Sequence, residues 1–204
     1  KTKFGYNIAA IQTLKQIEAE GRQARPDEQE ILSRYVGWGG IPQAFDEENT
    51  QWSEEYRQLK ELLTEKEYDA ARSSTLNAHY TSPTVICAMY DAIEKMGFRT
   101  GNVLEPSCGV GNFFGMLPDD MSGSRLYGVE LDSITGRIAR QLYPDARITI
   151  SGFEKTQRRD FFDLAIGNVP FGGYKVSDKQ FDKYNFLIHD YFFAKTLEQV
   201  RPGG

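Results

Sequence analysis

The sequence predicts an α/β fold in which a mostly parallel sheet follows an N-terminal helical region. From about residue 78 onward, short apolar runs alternate with segments of helical periodicity, which is typical of parallel strands joined by right-handed helical crossovers. Before that point, apolar residues recur at helical spacing. We therefore divide the chain into a helical region, residues 1–77, and an α/β domain, residues 78–204.

The helical region contains three predicted helical stretches. The first ends near Gly21, because glycine is favoured just after a helix. The second begins at Pro26, which suits a first helical turn and is followed by acidic residues. The third runs from Trp52 to Ala71. A glycine-rich segment around Trp38 separates the second stretch from the third, and we expect a packed turn there rather than a DNA contact.

The α/β domain contains four predicted strands, each short and apolar. Parallel sheets bind ligands at the carboxyl ends of their strands, so the residues that follow each strand form the candidate site. The predicted strands cover residues 102–104, 125–129, 147–150 and 162–166, and the predicted helices cover residues 85–96, 112–117, 134–142 and 185–200.

The first strand is followed by an acidic turn with two glycines, Glu105 to Asn112. Gly109 and Gly111 permit a tight strand-to-helix turn in which backbone N–H groups approach a ligand. The dinucleotide fingerprint GxGxxG is not matched, because Gly115 stands one position late. An acid at this strand end suits a positive amino group better than a pyrophosphate. The alternative is a tight turn without a ligand.

Acids also follow the second strand, in the segment Glu130-Leu131-Asp132. A carboxylate at this place can accept hydrogen bonds from both hydroxyls of a ribose. The alternative is that Asp132 caps the helix that starts near Ser133. Because the two acidic turns lie one strand apart, together they predict a nucleoside ligand.

The fourth strand is followed by Asn168-Val169-Pro170-Phe171. A side-chain amide beside a carbonyl can hold an exocyclic amino group through two hydrogen bonds. An aromatic ring can stack on a base that has left the duplex. The alternative is a simple Asn-containing turn between strand and helix. The position after the fourth strand favours a catalytic motif.

Taken in order, these segments resemble the successive motifs of the N6-adenine DNA methyltransferases. The first motif resembles the Tyr-Thr-Pro element of the restriction-modification type. With Tyr35 to Gly40 included, the chain also resembles the methyltransferase segment of large helicase–methylase proteins of bacterial mobile elements and phages. The matching segments are His79-Tyr80-Thr81-Ser82-Pro83, Glu105 to Asn112, Glu130-Leu131-Asp132, Gly152-Phe153-Glu154 and Asn168 to Phe171.

The resemblance implies a Rossmann-like S-adenosylmethionine-dependent methyltransferase sheet, truncated at its C-terminus, and methyl transfer to adenine N6 in DNA. S-adenosylmethionine is the implied cofactor, and the implied partner is DNA whose target adenine is flipped from the duplex. Asn168 would accept a hydrogen bond from adenine N6, the carbonyl of Val169 would accept another, and Phe171, after Pro170, would stack on the base.

The resemblance also implies where the cofactor lies. Its methionine end would lie against the glycine turn under Tyr80 and Thr81, and its ribose at Glu130. Its adenine would lie between Leu131 or Asp132 and the turn at residues 152–154. The implied cofactor-binding residues are Tyr80, Thr81, Glu105, Pro106, Gly109, Gly111, Asn112, Phe113, Glu130, Leu131, Asp132, Phe153 and Glu154.

Two motifs depart from the family pattern. Val169 stands where the family usually has proline, although the group used there is a backbone carbonyl, which valine also has. Phe153 stands where many relatives place aspartate, so either Glu154 substitutes for it or the adenine contact is lost. Two alternatives stay open: a catalytically degenerate cofactor- or DNA-sensing module, and an amide-N methyltransferase that acts on protein.

The composition adds expectations about partners and location. A formal net charge of -5 counts against strong DNA binding by this chain alone, so DNA would be gripped by parts outside it. No apolar run approaches the about 18 residues of a membrane span. Cys87 and Cys108 form no disulfide framework, which is typical of a reducing cytoplasm. With two histidines, no metal site is expected.

Overall fold

The computed structural model describes residues 1–75 and 80–204. The predicted boundary at residues 77 and 78, and His79 of the first motif, lie outside the described residues. The helices are α1 (Thr2–Ala19), α2 (Pro26–Ser33), α3 (Ser53–Leu62), α4 (Glu65–Ser74), α5 (Pro83–Lys95), α6 (Asn112–Gly115), α7 (Ser133–Leu142) and α8 (Ile188–Gln199). The strands are β1 (Asn102–Glu105), β2 (Arg125–Glu130), β3 (Arg147–Ile150) and β4 (Leu164–Ala165).

The third predicted helical stretch, residues 52–71, is two helices, α3 and α4, because a capping box interrupts it. The Thr64 hydroxyl accepts a hydrogen bond from the Glu67 N–H at 3.3 Å, and the Glu67 carboxylate accepts one from the Thr64 N–H at 3.0 Å. This reciprocal pair satisfies two backbone N–H groups that a helix start leaves unbonded. Its Thr-x-x-Glu signature stands in the sequence and could have predicted the break.

The four strands form one parallel sheet in the order β3-β2-β1-β4, which confirms the predicted α/β class. β1 is central: Asn102 pairs with Arg125 of β2, and Val103 pairs with Leu164 of β4. β4 has two residues and is shorter than the predicted strand at residues 162–166. The reason is that Phe162 bonds instead to the chain at the end of α8, where its carbonyl accepts from the Arg201 N–H at 3.0 Å.

Helices cover both faces of the sheet. Successive residues of a strand point to opposite faces, and β1 shows this alternation. Val103 packs with Ile86 and Tyr90 of α5, whereas Leu104 packs with Tyr191 of α8. The carboxyl ends of the strands therefore open between two helical layers, where ligands of such sheets bind.

The helical region shares its core with α7. Ile134 and Ile138 of α7 belong to the same buried cluster as the apolar face of α1. Above this contact, the Arg137 guanidinium bonds to Glu18 of α1 and to Glu67 of α4, each at 2.8 Å. The N-terminal helices thus form an additional layer against α7, close to the end of β2.

Two features are absent from the part of the chain that the structure describes. None of its helices combines the length and the apolar character needed to cross a membrane. None of its His, Cys, Asp and Glu side chains form a group of three or more that could hold a metal ion.

Candidate functional site

A cavity of about 380 Å³ opens at the carboxyl ends of the strands. This volume lies within the roughly 300–1,000 Å³ of small-molecule sites. The structure brings together at this cavity every predicted site residue except Gly111. Those in its lining are Tyr80, Thr81, Glu105, Pro106, Gly109, Asn112, Phe113, Glu130, Leu131, Asp132, Phe153, Glu154, Asn168, Val169, Pro170 and Phe171.

Gly111 shapes the turn and packs away from the cavity. Its φ of +88° lies in the left-handed region that favours glycine, and it directly precedes α6. A Cβ atom there would lie 2.6 Å from the Tyr143 ring, closer than real side chains approach. Gly111 therefore lets the chain turn tightly from β1 into α6 and places the turn residues before it at the cavity.

Glu105 ends β1 with a buried carboxyl group. Its side chain is 3% exposed, and its Oε2 atom has no hydrogen-bond partner among the described residues. Burial, and then the nearby charge of Glu130, raises the pKa of this carboxyl well above its usual range. Gly167 lies directly against it, since a Cβ atom there would be 3.2 Å from Glu105 Cγ. The start of the predicted catalytic motif therefore lies next to this acid.

Glu130 ends β2 and binds backbone N–H groups on both sides. Its Oε2 accepts from the Gly109 N–H and its Oε1 accepts from the Asp132 N–H, each at 2.8 Å. Burial raises the pKa of Glu130 to about 7, although the backbone hydrogen bonds oppose the shift. The glycine turn after β1 and the acidic turn after β2 are thus joined through one carboxylate.

Asp132 confirms the helix-cap interpretation and also faces the cavity. Its Oδ2 accepts from the Thr135 N–H at 2.8 Å and from the Thr135 hydroxyl, which caps α7. Its Oδ1 is buried and has no hydrogen-bond partner in residues 1–75 and 80–204. The two interpretations of Asp132 are therefore compatible, because each uses a different oxygen.

The turn after β3 places Phe153 and Glu154 differently. Phe153 is 3% exposed and stacks on Phe192 of α8 with ring centroids 4.8 Å apart. The Glu154 carboxylate folds back beside Gly152 in the cavity lining. The Glu154 carbonyl accepts from the buried Lys195 ammonium at 3.2 Å, so this turn is fixed to α8.

Tyr80 and Leu131 add apolar surface to the cavity lining. The Tyr80 ring covers the glycine turn, since a Cβ atom on Gly109 would lie 3.3 Å from its Cε1. Leu131 is 77% exposed, although it lines the cavity. A flat ligand ring against Leu131 would cover apolar surface that is otherwise in water.

The predicted catalytic motif forms the rim of the cavity. Asn168 and Phe171 are exposed there, and Phe171 is 59% exposed. Val169 packs instead against the buried cluster that contains Phe153 and Phe192. This packing restrains the backbone at residue 169, where the motif that this segment resembles usually has the more rigid proline.

The segment between the motif and α8 is anchored by a buried ion pair. The carboxylate of Asp178 accepts from the Lys195 ammonium and from the Tyr191 hydroxyl, each at 2.8 Å. Lys195 is only 5% exposed. Tyr174 and Val176 of this segment line the cavity, which places it beside the candidate substrate site.

Cys108 is a packing residue. Its side chain is 4% exposed and packs with Phe114 and Ile148. Burial raises the pKa of its thiol well above the usual range, which keeps the nucleophilic thiolate scarce.

Sequence reasoning missed one wall of the cavity, which comes from the helical region. Tyr35 and Gly37 line it, together with Ala70, Ser73 and Ser74. The last three share one face of α4 because they are spaced three and four residues apart. Trp38 is a packed turn residue as predicted, at 1% exposure, but nothing in the local sequence indicated that its neighbours face a ligand cavity.

Comparison with known proteins gives two relatives in sequence, and no protein-family model matches the chain. The chain is 28% identical over 204 residues to the Defense against restriction protein B of Escherichia phage P1, covering 97% of this chain and 8% of that protein. It is 35% identical over 79 residues to the Type II methyltransferase M.CvrRI of Paramecium bursaria Chlorella virus XZ-6E, covering 38% of this chain and 21% of that protein. The chain thus spans a small part of the length of both relatives.

Among solved structures, the chain is similar to a class I S-adenosylmethionine-dependent methyltransferase from Listeria monocytogenes. The TM-score is 0.49 at 14% sequence identity, and the match covers 100% of this chain and 72% of the other.

Proposed function

We propose that this chain binds S-adenosylmethionine and transfers its methyl group to the N6 amino group of adenine in DNA. The observation that carries the proposal is the set of carboxyl groups in one cavity: Glu105, Glu130 and Asp132. Two of them have a buried oxygen without a partner in the described part of the chain. Buried polar atoms in native proteins are nearly always paired, so these oxygens indicate a ligand that donates hydrogen bonds.

The chemistry of these donors fits S-adenosylmethionine. That molecule has an ammonium and a sulfonium against one carboxylate, so it carries net positive charge, and its ribose offers two hydroxyl donors. Glu105 would hold the ammonium, and Glu130 would accept from the ribose. A dinucleotide would instead bring its pyrophosphate charge to three carboxyl groups, which like-charge repulsion disfavours. Leu131 and the turn at residues 152–154 would enclose the adenine.

The residues at the rim support transfer to an amino nitrogen. S-adenosylmethionine supplies the methyl group when it is bound. The N6 lone pair of adenine is delocalised into its ring, so the amino group is a poor nucleophile. Hydrogen bonds from its protons to the Asn168 side-chain oxygen and to the Val169 carbonyl would favour a pyramidal, more nucleophilic nitrogen, and Phe171 would hold the base by stacking. No protein nucleophile is required, in accordance with the buried Cys108.

The relatives support this proposal through their names. One is called a type II methyltransferase, and the phage protein is named for defence against restriction.

Two measurements test the proposal in sequence. The first is calorimetric titration of the chain with S-adenosylmethionine, with Glu130→Ala as the variant expected to lose binding and circular dichroism to confirm that both are folded. The second is mass spectrometry of N6-methyladenine in DNA incubated with the cofactor and either wild type or Asn168→Ala. Saturable binding with no methylation by wild type would instead support a cofactor-sensing module. A folded wild type that does not bind would refute the cofactor assignment.

A further inference from the structure

We propose that Tyr35 is a cofactor-binding residue whose hydroxyl bonds to the nucleoside part of the ligand, so that the helical region completes the cofactor site. This inference rests on the proposed function. It assigns a role to the segment Tyr35–Gly40, whose sequence by itself indicated a packed turn.

The Tyr35 side chain has the position and the chemistry for this contact. It is 2% exposed and lines the cavity. Its hydroxyl lies near the Thr135 hydroxyl and the Trp38 indole N–H, but it makes no hydrogen bond of good geometry within residues 1–75 and 80–204. A buried hydroxyl without a partner destabilises the folded protein, because the group has lost its hydrogen bonds to water. Such a group in a native structure needs an explanation, and a ligand in the same cavity supplies one.

A second unpaired atom, Oδ1 of Asp132, belongs to a residue near Tyr35. Asp132 is near enough that its charge, after burial, contributes to raising the pKa of the Tyr35 hydroxyl well above the usual range. Its Oδ1 is also buried and has no partner within the described residues, because only Oδ2 caps α7. A hydroxyl that can donate and a carboxylate oxygen that can accept thus face the same cavity without bonding to each other. A ribose hydroxyl, or an adenine edge with its amino group and ring nitrogen, can bond to both.

The backbone that carries Tyr35 is held firmly. The side chain of Asn7, fully buried in α1, donates to the Gly37 carbonyl at 2.6 Å and accepts from the Val36 N–H at 2.9 Å. Trp38 packs edge-on against the Phe45 ring, with centroids 5.3 Å apart. A binding group on a support of this kind keeps its position before the ligand arrives, which lowers the entropy cost of binding.

The adjacent wall leaves room for a ligand. The face of α4 that lines the cavity has only small side chains, namely Ala70, Ser73 and Ser74. A nucleoside beside Tyr35 would therefore meet no bulky side chain from this helix.

The test is calorimetric binding to wild type, Tyr35→Phe and Tyr68→Phe. Tyr35→Phe removes one oxygen and keeps the ring. Tyr68→Phe is the matched control, because Tyr68 is equally buried in the helical region, at 4% exposure, but lies outside the cavity lining. Because the Tyr35 hydroxyl makes no hydrogen bond of good geometry with the described residues, Tyr35→Phe should melt near the wild-type temperature. Circular dichroism and thermal melting check that both variants are folded.

We expect Tyr35→Phe to weaken S-adenosylmethionine binding about 3- to 10-fold, the range for one hydrogen bond, and Tyr68→Phe to bind like wild type. 5′-Methylthioadenosine, which keeps the nucleoside and lacks the amino-acid end, should lose the same factor. Equal affinity of wild type and Tyr35→Phe for both ligands would overturn the role of Tyr35 while leaving the proposed function intact. A loss for S-adenosylmethionine alone would overturn the nucleoside assignment. A folded wild type that binds neither ligand would refute the proposed function and this inference together.

Discussion

Replacing Glu105 by glutamine should have opposite effects on the unliganded and on the cofactor-bound protein. The buried carboxyl costs stability in the unliganded protein, whereas in the complex its charge would hold the ammonium of the cofactor. In the unliganded protein, Glu105 is 3% exposed and its pKa is raised well above the usual range, so ionising it costs free energy. The amide has nearly the same shape and cannot ionise. Glu105→Gln should therefore melt at the wild-type temperature or slightly above it.

Cofactor binding should respond in the other direction. Hydrogen bonds to charged groups contribute about 1.5–3 kcal/mol, and a carboxylate that holds an ammonium belongs to this class. At 25 °C this free energy corresponds to a dissociation constant that is about 10- to 150-fold higher in Glu105→Gln. 5′-Methylthioadenosine has no ammonium, so its affinity should not change.

The assay is calorimetry at pH 8 with both ligands, with thermal melting of each variant. Glu94→Gln, on the exposed side of α5 and outside the cavity lining, is the control for the loss of one carboxylate. A folded Glu105→Gln protein with wild-type affinity for S-adenosylmethionine would refute the assignment of the ammonium to Glu105. An equal loss for both ligands would show that the substitution disturbs the cavity as a whole.

Three further predictions concern titration and stability. The pKa of Glu130 is about 7, and the proposed hydrogen bonds from the ribose hydroxyls need its ionised form. Cofactor affinity should therefore be greatest above pH 7 and fall by up to about tenfold per pH unit below it. An affinity that stays constant from pH 8 to pH 5.5 would contradict this. Lys195→Met leaves the largely buried Asp178 carboxylate without its cation and should cost about 3–5 kcal/mol in urea unfolding, most of which Lys195→Met/Asp178→Asn should recover. Glu67 has a pKa of about 2 in the folded protein against an ordinary 4.5, since burial raises it but hydrogen bonds from Thr64, Arg137 and Lys15 together lower it by more. Above pH 4.5 the ionised Glu67 therefore contributes about 3 kcal/mol of stability, and this contribution is lost as the pH falls towards 2. Urea unfolding between pH 6 and pH 3 should show a smaller loss of stability in Glu67→Gln than in wild type.

The strands and the residues after them could be predicted from the sequence for one physical reason. In a parallel sheet the carboxyl ends of the strands meet at one edge, so residues far apart in the chain, such as Glu105, Glu130 and Asn168, must converge once the strands are identified. The strand pattern was strong at residues 102–104 and 125–129. It overstated β4, because the pairing of Phe162 with the end of α8 depends on tertiary contacts that no local pattern contains.

The wall formed by the helical region could not be predicted in this way. Tyr35 reaches the cavity only because α1, α2 and α4 pack on α7, and α7 begins directly after the acidic turn of β2. That packing depends on Ile134 and Ile138, whose helical spacing indicated a buried face but not which helices cover it. The break at Thr64, in contrast, was present in the sequence as a capping box.

The net negative charge of the chain is weaker evidence against DNA binding once the positions of the acidic residues are known. A formal charge of -5 counts against DNA binding only if the acids are on the surface that DNA approaches. Glu105, Glu130 and Asp132 line the cavity, where they suit a positively charged ligand, and leaving these three carboxyls out of the formal -5 gives -2. In the segment that follows the predicted catalytic motif in the chain, Lys175, Lys179 and Lys183 are exposed. Part of the negative charge therefore belongs to the proposed cofactor site, and the overall balance is compatible with a DNA substrate at the rim.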